Sequence, residues 1–216
     1  MGTLVKICGL NDPASIAAAA EAGADMIGLV FYPPSPRAVT AERAIELAAS
    51  VTDGPVRVAL AVDPDNRLVS EITATGVIDM IQLHGHETPT RVSEIKARSG
   101  LPVMKALRIA TAPDVAGAAH YDGVADQILF DAKAPKDLAG ALPGGNGLRF
   151  DWSLMVGLRL NTPWMLSGGL DAENVAQAIS LTAAPAVDTS SGVEDRPGVK
   201  NPSKIRAFIE AVRAVG

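Results

Sequence analysis

Met165-Leu166-Ser167-Gly168-Gly169-Leu170-Asp171-Ala172-Glu173-Asn174 reads as a short strand that runs into a glycine turn and opens a helix. The residues before Ser167 are apolar, the Gly pair permits positive φ and close approach of a ligand, and Asp171 is placed to cap a helix over 172–181. Backbone N–H groups left free at such a turn suit an anion. One strand-and-helix unit later, Ala186-Val187-Asp188-Thr189-Ser190-Ser191-Gly192-Val193-Glu194 repeats the plan of apolar strand, small polar residues and glycine. Either loop alone is an ordinary strand-to-helix turn. Two in succession are the arrangement by which the last two loops of a (βα)8 barrel hold one phosphate. On that reading Gly168, Gly169, Ser190, Ser191 and Gly192 face the anion, and Asp188, at the end of the second strand, is counted with the substrate-binding residues.

Working outward from this pair, apolar runs alternate with helical patterns along the whole chain, which is the signature of parallel βα units. Strands are expected at 4–8, 26–31, 56–62, 80–83, 103–107, 127–130, 164–166 and 186–188. Helices are expected to start at Pro13, Thr40, Asp65, Thr88, Ala112, Asp151 and Asp171, with a closing helix over 202–215. Eight uninterrupted units predict an α/β fold, a single-domain (βα)8 TIM barrel spanning residues 1–216, rather than an open doubly wound sheet. At 216 residues there is room for one barrel and no second domain. Two connections, 32–39 and 131–149, exceed the usual length at strand C-terminal ends, where barrels keep their chemistry.

Composition narrows the partners. With 48% hydrophobic and 20% charged residues the chain reads as compact and soluble. Its net charge of -5, with basic residues scattered, argues against nucleic acid or an anionic membrane surface. Charged residues and prolines interrupt every apolar window before it reaches a membrane span of ~20 residues. A lone cysteine, Cys8, cannot make an intrachain disulfide, and the N-terminus lacks the features of a signal peptide, so a cytoplasmic location is expected.

Four strand-tip stretches carry candidate chemistry. Lys6-Ile7-Cys8-Gly9 puts Lys6 and Cys8 on one side of the first strand, and a cation beside a thiol favours thiolate; the thiol is either a base or a small buried hydrophobe. Asp131 follows an apolar strand and is either an acid or a turn cap. Lys133, if it approached, would work against the acid role. Arg37, on a loop stiffened by Pro33, Pro34 and Pro36, is placed to grip a carboxylate in a two-pronged way, unless it is simply solvated. Gln82-Leu83-His84-Gly85-His86 resembles a chelating pair, but no further ligands stand at neighbouring tips, so His84 is read as lining the site and His86 as a loop residue, with no metal.

Taken together, Lys6-Ile7-Cys8-Gly9, Ser35-Pro36-Arg37, Gln82-Leu83-His84-Gly85, Asp131, Gly144-Gly145-Asn146-Gly147, Ser167-Gly168-Gly169-Leu170 and Ser190-Ser191-Gly192-Val193-Glu194 resemble the phosphoribosylanthranilate isomerase family of tryptophan biosynthesis over nearly the whole chain. Asn146 and Asn11 depart from the residues usual in that family. The resemblance implies a barrel without metal or cofactor and a small phosphoribosyl substrate. It implies Cys8 as general base, Asp131 as general acid, Arg37 on the anthranilate carboxylate and the two glycine loops on the phosphate. The reaction implied is an Amadori rearrangement. Rival readings are another phosphosugar isomerase or epimerase barrel and a noncatalytic phosphate-binding barrel; the oligomer is left between monomer and homodimer.

Overall fold

The computed structural model describes residues 2–51, 54–135 and 142–215. Eight parallel strands close into a barrel in sequence order: β1 Leu4–Cys8, β2 Met26–Val30, β3 Val56–Ala61, β4 Met80–Leu83, β5 Val103–Ile109, β6 Gln127–Ala132, β7 Trp164–Leu166 and β8 Ala186–Thr189. The barrel closes by pairing β1 with β8, Lys6 standing opposite Asp188. Helices α1 Pro13–Glu21, α2 Ala41–Ala48, α3 Asn66–Ala74, α4 Pro89–Ser99, α5 Ala112–Ala116, α6 Val175–Thr182 and α7 Pro202–Arg213 cover the outside. Local chemistry starts them where the sequence said it would. The side chains of Asp12, Thr40, Asp65, Thr88 and Asn201 each accept a backbone N–H of the first turn, and Pro13, Pro89 and Pro202 open their helices.

Strand alternation then divides the side chains. Val5, Ile7, Ile27, Leu29, Ile81, Leu83, Ile128, Phe130, Leu166 and Val187 point outward and pack with Ile16, Leu47, Ile72, Ile95 and Phe208 of the helices in the main core. Met104, Ala106, Leu129, Met165 and Ala186, with Met26 and Met80 against them, form a separate apolar cluster inside the barrel. The same inward rows continue into polar residues toward the strand C-terminal ends: Lys6 and Cys8 on β1, Gln82 on β4 with His84 just past its end, Asp131 on β6 and Asp188 on β8. An apolar floor under polar residues is what turns a packed barrel into a site at one end.

Several elements differ from the sequence expectation. Strand β6 runs on through Asp131 to Ala132, so the carboxylate sits in the ladder rather than in the following loop. The middle of the long 131–149 connection, 136–141, lies outside the described residues. The helix expected from Asp151 is a single 3-10 turn, Trp152–Met155, followed by Gly157 at φ 74. The helix expected over 172–181 starts at Val175 with Asn174 at its cap position, because Asp171 Oδ1 draws the N–H groups of Glu173 and Asn174 into a turn of their own. The last helix ends at Arg213 rather than 215. A two-stranded antiparallel hairpin, β9 Glu194–Arg196 and β10 Val199–Lys200, stands between β8 and α7 and was not foreseen.

Outside the barrel wall, Lys105 of β5 is buried against Glu87, Nζ to Oε2 at 2.7 Å, with both side chains nearly inaccessible. Glu87 also accepts the N–H groups of Asp63 and Gly85, and its carbonyl accepts Tyr121 Oη. Removing one partner of such a pair leaves an unmatched buried charge. Lys105→Met is expected to lower stability by about 3 kcal/mol in urea unfolding, and Lys105→Met/Glu87→Gln to recover part of the loss; a single variant as stable as the parent would show that the pair is not needed to hold β4 to β5.

Candidate active site

One cavity at the C-terminal ends of the strands is lined by Cys8, Arg37, His84, Asp131, Gly168, Gly169, Asp188, Ser190 and Ser191. All the sequence-selected site residues except Gly192 are in its wall. Gly192 sits behind it, and a side chain there would run into the Leu170 carbonyl. Val30, Leu60, Val62, Leu142 and Pro143 add an apolar part to its lining.

Cys8 reaches this cavity because Gly28 beside it on β2 carries no side chain; a Cβ there would lie 2.7 Å from Sγ. Below it Lys6 is fully buried, its Nζ 2.7 Å from Asp188 Oδ1, while Asp188 Oδ2 accepts the Ser167 hydroxyl at 3.0 Å. Burial would lower Lys6, but Asp188 and the neighbouring Cys8 outweigh it and hold the ammonium above its ordinary range. For Cys8 the balance goes the other way. Burial pushes the thiol up, Lys6 pulls it down, Asp188 pushes it up and Lys200 pulls it down, and the net is upward. The neighbouring cation does favour the thiolate, as expected, but desolvation of the charged sulfur, with the Asp188 carboxylate added to it, outweighs that attraction.

Asp131 is held by its own strand end, Oδ1 accepting the Ala132 N–H at 2.8 Å. His84 Nε2 lies 3.2 Å from Oδ2, but off the line a hydrogen bond requires, so the nitrogen has no partner among the described residues. The Gln82 amide nitrogen is 3.1 Å from His84 Nδ1. Lys133 points away, to Asp114. His86 is exposed beside Asp63 and Arg108, so the two histidines of the His-x-His stretch diverge instead of chelating.

Arg37 is buried in the cavity wall, but its fork is already taken. Nε and Nη2 meet Glu194 Oε1 and Oε2 at 2.7 and 2.8 Å, and Nη2 also donates to Gly145 O at 3.1 Å. The two-pronged grip on a ligand is corrected accordingly: Nη1 is the nitrogen left to the cavity, with the Gly145 backbone beside it. Glu194 also takes Lys200 Nζ at 2.8 Å, and Lys200 donates to Ser190 O and Oγ. Burial would raise the Glu194 carboxyl, yet Arg37 and Lys200 hold it below the ordinary range. Lys200 is depressed by burial despite Glu194. Glu194 and Lys200 owe their places to the unforeseen hairpin; the only sequence signal was a charged pair six residues apart around Pro197-Gly198, a turn dipeptide.

The glycine loops present backbone donors. Gly168 and Gly169 have φ of 93 and 62, a conformation that favours glycine. The Gly169 carbonyl accepts from Asn174 and Arg149 and the Leu170 carbonyl from Thr189 Oγ1, which ties the β7 loop to the β8 loop. The N–H groups of Gly168, Gly169 and Ser191 have no protein acceptor among the described residues. Asn146, one of the two unusual residues, closes the Gly-rich strap by a double hydrogen bond to the Leu142 backbone. Asn11, the other, bonds the Gly198 carbonyl of the hairpin turn.

Comparison with known proteins agrees with this geometry. The family model described as N-(5'phosphoribosyl)anthranilate (PRA) isomerase matches residues 5–211. The N-(5'-phosphoribosyl)anthranilate isomerase of Paracoccus denitrificans is 54% identical over 214 residues, covering 99% of each chain. A crystal structure of phosphoribosyl anthranilate isomerase in complex with reduced 1-(o-carboxyphenylamino)-1-deoxyribulose 5-phosphate is similar at a TM-score of 0.83, with 31% identity, covering 98% of this chain and 99% of that one. The structure of mutually generated monomers of the dimeric Thermotoga maritima enzyme gives a TM-score of 0.82 at 31% identity, covering 98% of this chain and 99% of that one. With the family match running through all eight strands and the relatives matched from end to end, the chain belongs to the N-(5'-phosphoribosyl)anthranilate isomerase family.

Proposed function

We propose that Cys8 and Asp131 carry the family's reaction in this chain, as general base and general acid, with residues 1–216 working as one domain in a monomer or homodimer. The reaction is the isomerisation of N-(5'-phosphoribosyl)anthranilate to 1-(2-carboxyphenylamino)-1-deoxyribulose 5-phosphate, an Amadori rearrangement in tryptophan biosynthesis. The observation that carries the assignment is that one cavity is lined by both groups, by an arginine and by free backbone donors. Asp131 gives its proton to the ring oxygen as the C1–O bond breaks, leaving a Schiff base and a carboxylate. Cys8 as thiolate takes the C2 proton, and the C–H electron pair forms the enolamine, which tautomerises to the ketone.

The N–H groups of Gly168, Gly169 and Ser191 suit the phosphate, and Ser190 is braced by Lys200 beneath it. Arg37 Nη1 suits the anthranilate carboxylate, and the wall of Val30, Leu60, Val62, Leu142 and Pro143 suits its ring. Held at both ends, the sugar lies between acid and base, a gain of proximity and orientation. The chemistry asked of these residues uses no cofactor. Among the described residues no helix is long and apolar enough to cross a membrane.

Ser191→Asp places a negative charge at the phosphate loops without forcing a side chain onto a positive-φ glycine. KM is expected to rise at least tenfold with the circular dichroism spectrum retained; an unchanged KM would move the phosphate elsewhere.

The acid and base can be told apart by pH. The base must be thiolate, and because burial raises Cys8 above the ordinary thiol range, each pH unit across neutrality gains thiolate tenfold. In Asp131→Asn the acid proton is gone and only the base responds to pH. Activity at neutral pH should drop roughly 10²- to 10⁴-fold, and the remainder should climb tenfold per pH unit until it passes the ordinary thiol range. A residual rate that does not respond to pH would remove Cys8 as the base.

A further inference from the structure

Two buried polar atoms at the base of the cavity, Gln82 Oε1 and His84 Nε2, have no hydrogen-bond partner among the described residues. Gln82 is inaccessible and His84 almost so. Buried polar atoms are normally paired, so unpaired ones at a site's edge call for a reason. The Gln82 amide nitrogen faces His84 Nδ1 at 3.1 Å. With the amide oriented this way its nitrogen donates and Nδ1 accepts, and in a neutral imidazole the proton then sits on Nε2. That nitrogen is 3.2 Å from Asp131 Oδ2, yet the two are not hydrogen-bonded to each other. Asp131 Oδ1 is fixed by the Ala132 N–H, which leaves Oδ2 as the reactive oxygen. Gly144 closes the space from the strap: a Cβ there would lie 2.7 Å from His84 Cε1 and 2.8 Å from Asp131 Oδ2. Two polar atoms held side by side without satisfying one another are aimed at a third.

Resting on the assignment of Asp131 as the acid, we propose that His84 is a second donor at the substrate's ring oxygen, neutral with its proton on Nε2, and that Gln82 is the positioning residue that fixes this tautomer. As the C1–O bond breaks, its electron pair passes to the ring oxygen. Asp131 Oδ2 supplies that oxygen's proton, and His84 Nε2–H hydrogen-bonds it without giving up its own. The imidazole ends the step as it began. A donor at this place also leaves the acid free to act, because Nε2 has no lone pair with which to take the carboxyl proton. Donors preorganised toward developing charge contribute about 10²- to 10³-fold to kcat.

Nitrogen-15 NMR of the intact ligand-free protein reads the tautomer directly and does not depend on turnover. The chain has 3 histidines, and the His84→Gln spectrum assigns the signal. The expected result is a protonated Nε2 and an unprotonated Nδ1 at His84; a protonated Nδ1 overturns the proposal. In kinetics His84→Leu should lower kcat about 100-fold with little change in KM. His84→Gln, whose amide N–H reaches toward the Nε2 position, should keep at least tenfold more activity than the Leu variant. Gln82→Met should lower kcat about tenfold and give a mixed tautomer. Equal losses in the Leu and Gln variants, or a His84→Leu rate within twofold of the parent, overturn the donor role. Loss of activity in Asp131→Asn without loss in His84→Leu defeats this inference alone, whereas full activity in Asp131→Asn defeats the acid assignment on which it rests.

Discussion

An ammonium with no exposed surface has to be matched, and in this chain the match crosses the seam where the barrel closes. Lys6 on the first strand meets Asp188 on the last at 2.7 Å, and the two residues face each other in the β1–β8 ladder. Ser167, just past the end of β7, donates to the other oxygen of Asp188, so the ends of three strands are tied together by polar contacts beneath the glycine loops. Stripped of its partner, either charge would be stranded in the interior, a large penalty for a fold of ordinary stability. The same ammonium is the strongest influence drawing the Cys8 thiol down against burial. The seam of the barrel and the charge beside the Cys8 thiol thus share one ion pair.

A second charge cluster continues the pattern outward. Arg37 and Lys200 share Glu194, two cations to one carboxylate, all three buried. The surplus is one positive charge, next to Ser190 and under the loops read as the phosphate site. In a chain of net charge -5, this local arrangement and not the overall field is what favours an anion at this end of the barrel. The hairpin after β8 makes this arrangement, since it returns Lys200 to Glu194 six residues later.

Much of this was legible in the sequence, for reasons that also mark the limit. The strands were found because period-two alternation over a closed barrel leaves little choice of register, and the helix starts because caps are local. Strand β6 was cut short at Phe130 because an Asp after an apolar run looks the same whether it starts a loop or faces into a barrel. The start of α6 was missed because Asp171 and Asn174 both offer cap chemistry within one turn. Cys8, Asp131, Arg37 and His84 were picked from their places at strand tips. Their partners were not, since Glu194 is 157 residues from Arg37 and spacing carries no signal over such a span. The balance that raises Cys8 was hidden for a related reason: burial is a property of the assembled barrel, while the cation two residues away is visible in the chain.

The Gly145 carbonyl on Arg37 has a consequence for how the site receives its ligand. With Nε and Nη2 on Glu194 and Nη2 also on the Gly145 carbonyl, the guanidinium can neither rotate nor slide without breaking a bond it already has. On the proposed assignment the anthranilate carboxylate then meets one N–H-bearing nitrogen, Nη1, held in place before any ligand arrives, so little side-chain freedom is left to lose on binding. The arginine is a fixed donor and not a flexible clamp.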